Sequence, residues 1–122
     1  MKKYTEDHEW VLLEGSLAII GITSYAAKEL GDITFVEVPT VDNEAIIGEV
    51  LTVVESVKAA TDVLTPINGT IIEVNEELED NPQLVNESPE EDGWICKIEI
   101  DDASALDALM TEDEYNTYIK NL

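Results

Sequence analysis

The apolar residues of this chain come in short runs, and a turn residue interrupts nearly every one of them. That cadence selects small sheets over helical bundles, because strands of a few residues must find partners across turns. Trp10 to Leu13 and Leu17 to Ile22 flank "EGS", a hairpin signal with Gly15 at the turn. In "TSYAAKELG", Thr23 can cap a short helix and Gly31 can end it in a left-handed conformation. Strands resume at "ITFVEV" and Pro39 closes that run. In "EVLTVVES", Leu51 and Val53 share one face while Thr52 and Val54 share the other, so the strand should be covered on both sides. "ATDVL" can pair back on it, which places Lys58 near a hairpin tip. "PINGTIIEV" then offers Pro66 and Asn68-Gly69 as a turn before another strand.

Trp94, Cys96, Ile98 and Ile100 alternate with Lys97 and Glu99, a half-buried strand. Before them, "NEELEDNPQLVNESPEEDG" is acidic and broken by Pro82 and Pro89, which predicts a surface connection with one helical turn near Pro82. The tail reads as two short helices, one starting at Ser104 with Asp107 and one at Thr111 with Glu114 as a capping box. "GDITFVEV" from Gly31 and "GTIIEV" from Gly69 echo one another, each after paired alanines, and suggest two similar halves packed as a small sandwich.

The 122 residues fit one domain, 1–122, with roughly two thirds of the unfolded surface buried on folding. Although 44% of residues are hydrophobic, the formal charge is -22, so the excess carboxylates belong on the surface. With 28 Asp and Glu against six Lys and no Arg, the field repels phosphate backbones and anionic lipid, and the planar donor fork used for phosphate and base recognition is missing. Nucleic acid and membrane surfaces are therefore excluded as expected partners, and proteins with basic docking patches are favoured. The single Cys96 allows no internal disulfide, and "MKKYTEDHEW" contains no apolar signal region. The expectation is a soluble, cytoplasmic monomer.

Catalytic constellations are scarce. His8 is the only histidine and has no metal-ligand spacing around it, so it is expected to be a surface or half-buried packing residue. Cys96, on an apolar strand face, is expected to be an inert core thiol. The six glycines form no phosphate-binding loop, and the acidic residues from Glu76 to Asp92 lack the ordered spacing of a calcium loop. What stands out is Lys58, the only basic residue between Lys28 and Lys97. An amine projected from a rigid hairpin tip meets a modifying enzyme without competition nearby and without extra ordering cost.

At this point the residues show a family likeness. "ESVKA" followed by "ATDVLTPINGTIIEVNEEL" resembles the lipoyl-attachment hairpin of the glycine cleavage system H-protein family, and "YTEDHEWV", "GITSYAAKELGDITFVEVP", "NPQLVNESP" and "DGWICKI" resemble the same family in the same order. The resemblance covers nearly the whole chain. It implies a barrel-sandwich hybrid fold, mainly β, with a short helix in the N-terminal half and short C-terminal helices. It implies a non-catalytic carrier in glycine catabolism and one-carbon metabolism, with lipoate in amide linkage on Lys58. Its partners would be glycine decarboxylase (P-protein), aminomethyltransferase (T-protein), dihydrolipoyl dehydrogenase (L-protein) and a lipoate-attaching enzyme.

By matching segments, Glu9 and Asp62 fall where the family has carboxylates that can hold the amine of the aminomethyl cargo; the bland reading makes both solvated surface acids. Two departures from the family pattern are Asp42, where a glycine is usual, and Glu90, where an aromatic is usual. Asp tolerates a left-handed turn, so Asp42 should be harmless, whereas Glu90 puts a partner contact in doubt. A biotin carrier fits less well, because those usually flank the lysine with methionines and Lys58 lies between Val57 and Ala59. A relay that hands octanoyl or lipoyl groups to other lipoyl domains needs the same lysine, and genes neighbouring this one would separate the two roles. A lipoyl domain of a 2-oxoacid dehydrogenase would generally lack the N-terminal segment and the C-terminal helices.

Overall fold

The computed structural model describes residues 2–122, which form two antiparallel sheets and a few short helices. β1 (Lys2–Tyr4), β2 (Glu9–Glu14) and β3 (Leu17–Ile22) open the chain, and α1 (Ser24–Leu30) leads to β4 (Ile33–Val36) and the two-residue β5 (Glu44–Ala45). β6 (Val50–Ser56), β7 (Ala60–Leu64) and β8 (Gly69–Val74) follow, then α2 (Glu77–Asp80), α3 (Leu84–Glu87) and β9 (Cys96–Ile100). A 3-10 helix (Ala103–Ala108) and α4 (Glu112–Lys120) complete it. The larger sheet runs β1-β2-β3-β9-β8-β5 and the smaller β4-β6-β7. The expected mainly-β sandwich architecture is observed, as two sheets that face each other without closing.

Period-two patterning explains the layers. Val11, Ala18, Ile20, Cys96 and Ile98 from the larger sheet and Ile33, Val36, Val54 and Val63 from the smaller one belong to a single buried cluster. The other face of the larger sheet carries Trp10 and Tyr4, which α4 covers with Tyr115. α4 begins in the expected capping box: Thr111 and Glu114 satisfy each other's backbone N–H groups. Cys96 is fully buried, and burial pushes its thiol up to about 12, which makes it inert as a nucleophile.

The hairpin that matters for function is β6–β7. Its register pairs Glu55 with Ala60, so Ser56 to Ala59 form the tip and Lys58 lies within it. Both faces of the middle of β6 are covered, through Leu51, Thr52 and Val54, while Val50 at its start is exposed beside a bulge. The echoed strands β4 and β8 lie in different sheets, as a two-layer packing requires, but the Lys58 hairpin shares its sheet with β4 rather than β8.

Several local expectations are corrected. Gly31 ends α1 with φ 76 and ψ -155, positive as expected but outside the left-handed helical well, in a region that is essentially glycine's own. Gly69 has no positive φ; it is the first residue of β8, and an added Cβ there would overlap the Glu99 carbonyl and the Ile98 side chain of β9. The glycine is required by interstrand space and not by a turn. The acidic segment is more than a surface connection, because α2 and α3 bury Leu78 and Val85 completely. The first tail helix is of the 3-10 type and is capped by Asp102, whose side chain accepts from the Ser104 N–H, so Ser104 lies one residue inside it.

Candidate functional site

A short hydrogen-bonded turn holds Lys58 out. The Ser56 hydroxyl accepts from the Lys58 and Ala59 N–H groups at 3.1 and 3.2 Å, and the Ser56 N–H donates to the Ala59 carbonyl at 2.8 Å. This is the serine-turn chemistry that fixes a tip without burying it. The tip is braced from outside, since the Val57 N–H donates to the Asp32 carbonyl at 3.0 Å. Lys58 itself is exposed; its ammonium donates to the Glu29 carbonyl at 3.4 Å, and its stem runs beside Gly31 at the end of α1.

Next to that ammonium opens a cavity of about 150 Å³ between the loop preceding β2, helix α1 and strand β7. Its apolar walls are Ile22, Tyr25, Ala26, Leu30 and Val63, and its polar groups are Asp7, His8, Glu9, Glu29, Thr61 and Asp62. The two carboxylates singled out from sequence, Glu9 and Asp62, thus line one cavity although 52 residues lie between them in the chain. They differ in environment. Asp62 is exposed, whereas Glu9 is only 3% exposed and is no solvated surface acid.

The Thr5 hydroxyl donates to Glu9 Oε1 at 2.7 Å. Even so, desolvation raises the Glu9 carboxyl to about 7, with Asp7 adding to the rise and hydrogen bonds from Thr5 and the Leu64 backbone opposing it. Glu9 therefore changes charge near neutrality. His8 has φ 69, packs its ring 4.7 Å from that of Tyr25, and shares a 2.8 Å hydrogen bond between Nδ1 and the Tyr115 hydroxyl. Burial lowers its pKa against the opposing pull of Asp7 and Glu29, which favours the neutral imidazole. The half-buried packing role expected of His8 is observed, and it also walls the cavity.

A folded-state pKa above that of the unfolded chain means that ionising Glu9 works against the fold. Its contribution is fully present below the ordinary value of 4.5 and is lost as pH rises through about 7. Glu9→Gln keeps the acceptor for Thr5 and removes the charge. It is expected to leave the thermal midpoint almost unchanged at pH 4 and to raise stability at pH 8 by about 1 to 3 kcal/mol. Thermal melts of both proteins across that range check the sign; a gain confined to the acid end would overturn it.

Sequence reasoning missed Tyr25, Glu29 and Leu30. Their spacing within "SYAAKEL" marks one side of a short helix but gives no indication of what that side faces. Asp42 has φ 76, the left-handed turn that its chemistry tolerates. Glu90 is turned inward onto Ser24, Tyr4 and Lys2.

The glycine cleavage H-protein profile matches residues 2–122. The chain belongs to the glycine cleavage H-protein family. Glycine cleavage system H proteins from two strains of Staphylococcus epidermidis are 53% and 52% identical to it over 117 residues, covering 96% of this chain and 93% of each relative. The crystal structure of a glycine cleavage system H protein from Mycobacterium marinum superposes with a TM-score of 0.88 at 34% identity, over 98% of this chain and 96% of that one. The likeness to the glycine cleavage H-protein family thus extends from sequence to the path of nearly the entire chain, including the segments around Lys58 and the cavity.

Proposed function

We propose that this protein is the mobile carrier of a glycine cleavage system, with Lys58 as the attachment point for lipoate. The observation that carries this is the placement of one exposed, braced amine at a hairpin tip beside a cavity that gathers Glu9 and Asp62. The residues fit the group: the Lys58 amine is accessible for acylation, and the mainly apolar walls with carboxylates among them suit a thin chain ending in a cation. Bound there, lipoate supplies a disulfide that accepts two electrons together with an aminomethyl group. The partners are then glycine decarboxylase, aminomethyltransferase, dihydrolipoyl dehydrogenase and the lipoate-attaching enzyme.

The protein's own residues orient and shelter. A tether of this kind raises the local concentration of cargo at each docked active site, and the strong negative charge steers basic partner surfaces toward the carrier. Inside the cavity, Glu9 and Asp62 accept from the cationic amine, while Ile22, Leu30 and Val63 limit water. Intact-mass measurement with peptide mapping, after expression in lipoate-replete cells, tests the attachment: the lipoyl increment on the peptide containing Lys58 is expected. An unmodified or biotinylated Lys58 would overturn it.

Sheltering has its own test. Asp62→Asn should preserve folding and lipoylation, because it neither removes volume nor touches Lys58. It removes one charge-assisted hydrogen bond, worth about 1.5 kcal/mol or less at an exposed position. The loaded carrier should therefore lose its amine to water up to about tenfold faster, with initial loading rates near wild type. Lifetimes measured with the aminomethyltransferase absent decide it, and equal values would return Asp62 to a solvated surface role.

A further inference from the structure

We infer that Glu90 is a positioning residue for the cargo cavity, holding one end of α1 while Asn86 holds the other. The inference rests on the carrier reading above. α1 supplies Tyr25, Ala26, Glu29 and Leu30 to the cavity and offers the Glu29 carbonyl to Lys58. Yet the helix has only seven residues and fully buries only Ala27, with Ala26 and Leu30 packed partly against the core. A helix of that length does not stand alone in water. Apolar packing holds its inner side, and its ends fix where Tyr25 and Glu29 stand.

Both ends are held by the same segment. At the start, Glu90 Oε2 accepts from the Ser24 N–H at 2.9 Å and from the Ser24 hydroxyl at 3.0 Å. The first N–H groups of a helix have no partner within it, and here Thr23 serves Ala26 while Glu90 serves Ser24 from outside. Glu90 is fixed in turn: its Oε1 accepts from the Tyr4 hydroxyl at 3.3 Å and lies 3.6 Å from the Lys2 ammonium, which also donates to the Glu90 carbonyl at 2.9 Å. Beyond the other end, Asn86 Nδ2 donates to the Gly31 carbonyl and Asn86 Oδ1 accepts from the Ile33 N–H, both at 2.8 Å. The buried Val85 ties α3, and so Asn86, to the core. A carboxylate at position 90 thus does what an aromatic ring could not: it accepts from a helix N-terminus.

Two readouts test this. In the unlipoylated protein, Glu90→Ala should speed hydrogen exchange of the α1 amides roughly fivefold, the effect of losing a helix cap, without changing β2 or β3, and Glu90→Gln, which keeps an acceptor for Ser24, should restore protection. In the lipoylated, glycine-loaded protein without aminomethyltransferase, Glu90→Ala should shorten cargo lifetime by a similar factor and Glu90→Gln should not, with Asp62→Asn as the reference for cavity function. Ser24→Ala removes only the hydroxyl contact, leaves the fold in place, and should move both readouts the same way by roughly twofold. Unchanged α1 exchange in Glu90→Ala and Ser24→Ala overturns the inference. So does faster exchange with unchanged cargo lifetime where Asp62→Asn shortens it, a result that leaves the carrier reading intact. If neither Asp62→Asn nor Glu90→Ala shortens the lifetime, the sheltering cavity itself is wrong and the role of Glu90 falls with it.

Discussion

Lys58→Arg is expected to abolish lipoylation, and with it glycine-dependent reduction of NAD in the reconstituted system, while the protein still folds. The guanidinium keeps the positive charge but remains protonated at any accessible pH, so it cannot form the amide. Little of the fold depends on the lysine side chain. Its ammonium donates only a 3.4 Å contact to the Glu29 carbonyl, and the turn around it is made by Ser56 and by backbone groups. A surface change of this kind costs within about 0.5 kcal/mol, which for a chain this size is a midpoint shift of roughly 2 °C. Intact mass and a thermal melt on the same preparation check both halves. Incorporation of lipoate into the Arg variant would show that another residue is the attachment site.

Gly69→Val should be the most damaging single change considered, for a reason opposite to the one its sequence context suggests. "PING" reads as a turn with positive φ, but Gly69 is a strand residue paired with Ala45 on one side and Ile100 on the other. A Cβ would meet the Glu99 backbone, which cannot rotate away as a side chain can. Forcing β8 and β9 apart disturbs the Ile71–Ile98 pairing behind them and is expected to cost roughly 3 kcal/mol or more, a large part of the about 5 to 15 kcal/mol that holds a typical domain together. The midpoint should fall by roughly 10 °C or more, and lipoylation should fall only as a consequence of lost fold. Gly69→Asn separates the two explanations. Asn tolerates a left-handed backbone but still carries a Cβ, so it should be as harmful as Ala or worse; a near-wild-type midpoint for Asn would restore the turn explanation.

Much of the architecture was legible because it is local. A strand's alternation, a hydroxyl before a helix and the return of one short strand on its neighbour are decided within a few residues, and so the hairpin of β2 and β3, the caps Thr23 and Thr111, and the position of Lys58 at a hairpin tip could be read directly. The same locality misled at Asn68-Gly69, where turn-like residues sit at a crossing between sheets. It also misled at Glu76 to Asp92, where two apolar residues inside an acidic run, Leu78 and Val85, dock into the core. The glycine cleavage H-protein likeness pointed to Glu9 and Asp62 as a pair, but their unequal exposure was invisible until β7 and the loop before β2 came together around one cavity.

The sequence alone was enough for the main hairpins, the helix caps and the isolated amine at a hairpin tip, because periodicity and turn chemistry act over neighbouring residues. The environment around that amine came from three-dimensional packing: the burial that carries Glu9 to about 7, the Tyr25 and Leu30 walls, and the grip of Glu90 on Ser24 from 66 residues away. Desolvation and hydrogen-bond satisfaction depend on what lies within a few ångströms in space, and the order of residues along the chain does not specify those neighbours until both sheets have packed.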